Sequence, residues 1–296
     1  MAERIEKAKG ALLMVLACAM FCIMASLIKY VSHIDAYKTA LARFVVGMAI
    51  LGGAAISGKI RLTFNNRKLL VVRGFVGGVG VLMFFLVIVE LGLGKGTVLF
   101  STYPIFACIL SAIFLKEKPG LVTAVAISAA LCGIYLLTAG SDDGTALFGS
   151  FGLYELLALC GGLCGGIVVV TIRKLHESDS SCAIFFSQCA IGFWLVVIPA
   201  NIKSCTIGLE GGIILVLIGA TAAVGQLLMT QSYKYLPVRI GSVLGMLEPV
   251  FCYIVGIVVF SELLLAKSAL GSSLILCACV AVLLYNSTGK AAMDEG

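Results

Sequence analysis

An all-α integral membrane fold, with ten transmembrane helices arranged as two inverted five-helix repeats, is predicted by three observations. First, 61% of residues are hydrophobic and 12% charged, with a mean hydropathy of +1.13, whereas soluble domains carry roughly 25% charged residues. Too little polar surface exists to cover a water-facing globule. Second, the apolar residues fall in runs of about 20, the length a helix needs to cross about 30 Å of hydrocarbon. The runs lack the period-2 alternation of a membrane barrel, so helices satisfy the backbone. Third, the chain repeats itself. Gly96, Val98, Leu99, Pro104, Phe106, Ile109 and Glu117 recur without a gap, 145 positions on, as Gly241, Val243, Leu244, Pro249, Phe251, Ile254 and Glu262. The register extends upstream, where Gly74, Gly80 and Leu82 fall on Gly219, Gly225 and Leu227.

In chain order the apolar runs predict helices over about 10–30, 36–57, 70–91, 95–116 and 119–139, then 150–172, 181–200, 210–232, 238–260 and 265–286. The first half occupies 10–140 and the second 150–288, with short cytoplasmic tails at 1–9 and 289–296. Arg4, Lys7 and Lys9 precede an apolar run longer than a signal-peptide core, which predicts an uncleaved first helix. Pro104 and Pro249 lack a backbone N–H and are expected to kink the fourth and ninth helices. With the N-terminus inside, fifteen basic residues fall on the cytoplasmic side, including Arg61, Arg73, Arg173, Lys174 and Arg239. Five fall outside: Lys29, Lys38, Lys95, Lys203 and Lys267. That bias predicts a multi-pass protein of the inner (cytoplasmic) membrane with both termini in the cytoplasm and Asp142-Asp143 facing out. Five crossings per half then place the halves in opposite orientations, a recurring construction of secondary transporters.

Several functional classes lose ground on composition. The net charge of +6 is spread over short connections, so lipid headgroups and counterions are its expected neighbours and nucleic acid is not. Most of the twelve cysteines lie inside apolar runs, where they act as small fillers. Only two histidines, His33 and His176, are available and no CxxC pair occurs, so neither a metal site nor a cofactor is expected. An integral membrane lipid-modifying enzyme needs acids and nucleophiles near one interface. No Asp-rich or His-x4-Asp cluster supplies them, so no catalytic residue is assigned.

Leu41-Ala42-Arg43-Phe44, Arg73-Gly74, Tyr103-Pro104 with Glu117, and Leu247-Glu248-Pro249 with Glu262 carry a family resemblance. On these residues the chain resembles ten-helix members of the drug/metabolite transporter superfamily with two EamA-type domains, over about 10–140 and 150–288. The resemblance implies a central cavity lined by the first four helices of each half, with the fifth and tenth helices peripheral.

Charged side chains at membrane depth are costly and usually face a cavity or a partner. Glu248 is the first candidate: low dielectric favours its neutral form, so it reads as a proton carrier, a cation ligand or a carboxyl that stabilises the Pro249 kink. It falls on Tyr103 in the first half, which makes the cavity chemically asymmetric. Arg43 is read either as a contact for a substrate carboxylate or as an architectural residue. Gln188, Gln226 and Tyr253 are candidate lining groups or interhelical hydrogen-bonders, and Trp194 either packs or stacks. Gly161, Gly162, Gly165 and Gly166 sit in an apolar span with no following Lys-Ser/Thr, so they predict close helix approach and not a phosphate loop. The expected function is secondary transport of a small polar organic metabolite or drug-like solute by alternating access, with a proton as candidate coupling ion. Import or exchange of an amino-acid-like, nucleoside-like or S-adenosylmethionine-like solute is the alternative. The expected partners are the small-molecule substrate and the bilayer, and a homodimer stays open.

Overall fold

The computed structural model describes residues 2–116, 120–138, 152–202, 207–260 and 266–287. Every regular element among its described residues is a helix, with no strand among them. Seven helical stretches among them are long and apolar enough to cross a membrane, the seventh running over Val238–Val259. In the first half lie α1 (Ala2–Tyr30), α2 (Ala36–Ile56), α3 (Arg67–Phe100), α4 (Tyr103–Phe114) and α5 (Leu121–Thr138). In the second lie α6 (Leu153–Leu175), α7 (Ser181–Ile202), α8 (Leu209–Tyr235), α9 (Val238–Gly245), α10 (Leu247–Phe260) and α11 (Ala266–Ser287).

Local sequence explains several boundaries. Asp35 caps α2, its Oδ1 accepting from the backbone N–H of Tyr37 at 2.8 Å. Past the C-terminus of α2, Gly58 adopts φ +72°, a left-handed conformation that suits glycine and turns the chain away. The side chain of Glu155 reaches back to the N–H of Gly152 at 3.0 Å and so satisfies one free donor at the start of α6.

Three expectations need correction, and one, the turn between the third and fourth helices, is met. The third and fourth helices were expected to part near residues 91–95, and within the helical element Arg67–Phe100 the membrane-spanning stretch does end at Leu91. The chain reverses between them, as the 4.8 Å separation of the Phe84 and Phe100 ring centroids shows. A straight helix would separate those residues by about 24 Å. The clean break comes later, at Ser101–Thr102, where the Thr102 hydroxyl donates to the Leu99 carbonyl at 2.8 Å. The expected ninth helix is likewise split, at Met246. Residues 2–9, expected as a tail, continue α1. Arg73 and Arg239, assigned above to the cytoplasmic margin, are buried, Arg73 completely. Glu117, Lys118, Asp142, Asp143, Lys203, Glu262 and Lys290 lie outside the described residues.

Packing joins the halves in matched pairs. α1 lies along α8, α3 along α6, α2 against α7 and α5 against α11. The first two pairs are antiparallel: Gly10 of α1 abuts Leu236 while Gly225 of α8 abuts Phe21, and Gly80 of α3 abuts Cys164 while Gly161 of α6 abuts Met83. α4 instead runs parallel to α6, with Thr102 against Gly162 and Phe106 against Gly166. The missing side chains at Gly162 and Gly166 allow this approach, since a Cβ there would lie 2.6 and 2.7 Å from those neighbours.

Candidate functional site

Between the halves lies one cavity of about 950 Å³ including its mouth. Its walls are mostly apolar, contributed by Met14, Met24 and Phe84 from the first half and Val168, Val169 and Met229 from the second. Five of the polar residues singled out in the sequence meet here: Arg43, Tyr103, Gln188, Gln226 and Glu248. Trp194 does not; it is 74% exposed on the outer surface of α7, edge-on to Phe193 at 5.4 Å. Tyr253, one turn beyond Glu248 on α10, is not among the cavity residues either.

The break at Met246 organises one wall. It ends α9 inside the protein, where the terminal carbonyls have no helical partner. Side chains from elsewhere supply donors. Tyr103 donates its hydroxyl proton to the Ser242 carbonyl at 3.2 Å, and the Cys18 thiol approaches the Leu244 and Gly245 carbonyls at 3.6 and 3.7 Å. Cys279 donates to the Val243 carbonyl at 3.5 Å. These two thiols are therefore more than fillers. Restarting the helix at Leu247 puts Glu248 in the first turn of α10, where the positive end of the helix dipole favours a carboxylate. Glu248 is half-buried on the cavity wall, with no carboxylate hydrogen bond to the described residues. Pro104 and Pro249 both follow such breaks and occupy early positions of α4 and α10, where a missing N–H costs little.

Two buried arginines lie near the cavity, and one of them, Arg43, lines it. Arg43, only 4% exposed, donates from Nη2 to the Gln226 Oε1 at 3.1 Å and from Nη1 to the Met24 sulfur at 3.3 Å, with the Phe85 ring 5.8 Å away. Arg73 donates to the Gln188 Oε1 at 3.0 Å, and the Gln188 Nε2 donates to the Gly77 carbonyl at 3.1 Å. Several donors are left over: Arg43 Nε, Arg73 Nε and Nη1, and Gln226 Nε2 are buried without a partner. Neither arginine has a carboxylate within 4.0 Å among the described residues.

Arg73 was missed as a site residue because it follows two residues after Leu70-Val71 in a stretch that opens on Arg67-Lys68 and reads as a loop margin. A signal was present: Arg73 stands one helical turn before Gly77, and so shares the face that turns towards α7. Among the described residues no group of three or more His, Cys, Asp or Glu is placed to hold a metal ion.

Comparison with known proteins agrees with this architecture. A model of the EamA-like transporter family matches residues 8–139 and again 152–284. The pseudopaline exporter CntI of Pseudomonas aeruginosa is 25% identical over 283 residues, covering 92% of this chain and 95% of that protein. Solute carrier family 35 member G1 of Mus musculus is 25% identical over 264 residues, 84% of this chain and 71% of that one. An uncharacterized transporter of Helicobacter pylori strain J99 is 27% identical over 218 residues, 71% of each. One solved crystal structure superposes with a TM-score of 0.76 over 96% of both chains at 14% identity, which shows a shared fold. The chain is a multi-pass membrane transporter, and it belongs to the EamA-like transporter family.

Proposed function

We propose that the protein is a secondary transporter in which two inverted five-helix halves, about 10–140 and 150–288, rock around the shared cavity and expose it to each side of the inner membrane in turn. The direction of the packed helices supports the inversion. In an up-and-down five-helix unit the first and third helices run the same way. α1 and α8 hold those two places in their halves, yet they are antiparallel, as are α3 and α6. Halves of equal orientation would make both pairs parallel. The proposed orientation puts both termini in the cytoplasm, following the excess of basic residues on that side.

The single observation that carries the transport reading is the cavity itself, with Arg43 and Tyr103 from one half facing Gln226 and Glu248 from the other. Any rotation of one half against the other changes the distances among these groups, so a solute held by both halves responds to the movement. A small polar organic solute fits the mixture of charged, amide and apolar wall. Glu248 is the proposed coupling group: a half-buried carboxyl without a hydrogen bond can take a proton, a cation or a solute nitrogen. Tyr103 holds the broken end of α9, a positioning task.

The test is flux. Purified protein in proteoliposomes is assayed with a panel of radiolabelled small metabolites under an imposed proton gradient, beside Glu248→Gln checked for monodisperse folding. Gradient-dependent flux by the wild type, reduced about tenfold or more in Glu248→Gln, is expected. Undiminished flux in the folded variant removes Glu248 from the mechanism, and the absence of flux for every solute class counts against transport through this cavity.

A further inference from the structure

We infer that the solute carries a carboxylate on an apolar body, and that Arg43 and Gln226 receive the carboxylate; this rests on the transport reading above. Around the cavity the charges do not balance. Arg43 in the wall and Arg73 behind it contribute two buried cations against the one carboxyl of Glu248. Each guanidinium is held by a neutral glutamine oxygen, which fixes its direction without cancelling its charge.

The unused groups at this point are all donors. Arg43 Nη2 occupies the Gln226 oxygen, which leaves the Gln226 Nε2 and Arg43 Nε beside the cavity, both buried with nothing to bond. One donor comes from α2 and the other from α8, on opposite halves of the chain. A ligand that bonds both needs acceptor oxygens and negative charge, and two oxygens on one planar carbon suit a guanidinium best. Arg73 does not line the cavity; it acts through Gln188 as a positioning residue and adds positive potential. The rest of the wall excludes a bare inorganic anion as the best occupant. Met14, Met24, Met229, Phe21, Phe84 and Phe100 surround the polar pair with thioethers and rings, which suit an aliphatic or aromatic body.

The experiment measures binding to purified full-length protein in detergent by thermal shift, with matched probes. 3-Phenylpropionate, N-acetylleucine and benzoate are each compared with the corresponding carboxamide, and sodium chloride and sulfate serve as inorganic arms. At least one carboxylate is expected to bind about tenfold or more tightly than its carboxamide and than chloride. Arg43→Gln removes the preference. Gln226→Glu supplies an internal carboxylate to Arg43, keeps the fold and brings carboxylate binding down to the carboxamide level, so a folding failure of Arg43→Gln leaves a decisive variant. Equal binding of acid and amide, equal stabilisation by chloride, or a preference that survives in Gln226→Glu overturns the inference. Flux of neutral or cationic solutes by a wild type that binds none of the carboxylates overturns it too, while leaving the transport reading intact.

Discussion

The ring of Phe44 lies where a side chain on Gly192 would stand: a Cβ at Gly192 would fall 2.5 Å from the Phe44 Cζ. The same relationship recurs inverted, with a Cβ on Gly47 falling 2.7 Å from the Cys189 sulfur. Position 47 corresponds to 192 and position 44 to 189 at the 145-residue offset, so these are one contact made twice. α2 and α7 thus meet with each presenting a glycine to the other's bulk.

Gly192→Ala is therefore expected to destabilise the protein by about 1–3 kcal/mol, through a rigid aromatic neighbour that cannot swing clear. Gly52→Ala is the control, because nothing lies within 4 Å of its Cβ position. There the gain in helix propensity of up to about 1 kcal/mol is expected to remain. Thermal unfolding followed with a thiol-reactive dye, which reports the buried cysteines, separates the two. Equal melting temperatures for both variants contradict the close approach.

A second contact between halves lies at one end of the bundle. Asp179, in the turn after α6, accepts from the backbone N–H groups of Asn65 at 2.7 Å and Asn66 at 3.2 Å, and the Asn65 side chain donates to the Ser178 carbonyl at 2.7 Å. Removing a buried carboxylate acceptor leaves two backbone donors without it, a loss of about 1.5–3 kcal/mol. Asp179→Ala is expected to speed amide hydrogen exchange across 60–66, read by mass spectrometry. Unchanged protection there shows that the latch is held by other groups.

His176 gives a dependence on pH. Its Nε2 lies 2.7 Å from the Thr230 carbonyl, just past the end of α6. Burial holds its pKa below the ordinary histidine value, with Arg173 and Lys234 adding to the shift and the Thr230 carbonyl opposing it. The folded state therefore prefers the neutral ring. Its contribution is intact above the ordinary value of about 6.5 and is lost as pH falls from there through the depressed folded value. Melting curves between pH 8 and pH 5 are expected to show a loss that His176→Gln lacks. Parallel curves for the two proteins contradict this assignment.

Much of this architecture was legible from the chain because lipid imposes a simple demand: apolar runs of the right length, internally bonded. Glu248 and Arg43 could be singled out on the same ground, since charge at that depth is expensive. Arg73 escaped because basic residues near a helix start normally reach towards headgroups, and only the packing of α7 shows that this one cannot. The turn between the third and fourth helices was legible from the end of the apolar run, whereas the split at Met246 escaped because the carbonyls it frees are satisfied by side chains distant in sequence, Cys18 and Tyr103. Trp194 and Tyr253 were grouped with the site by depth alone, and depth does not say which way a side chain turns.

Membrane topology is the most direct test of two oppositely oriented halves around one cavity. Fluorescent-protein and alkaline-phosphatase reporters are fused in parallel after Lys59 and after Gly208, sites in the equivalent connections that follow α2 and α7. The expected result is fluorescence alone at Lys59, in the cytoplasm, and phosphatase activity alone at Gly208, outside. The same reporter active at both sites contradicts the inversion and, with it, a cavity that either face can reach by the rocking of one half against the other.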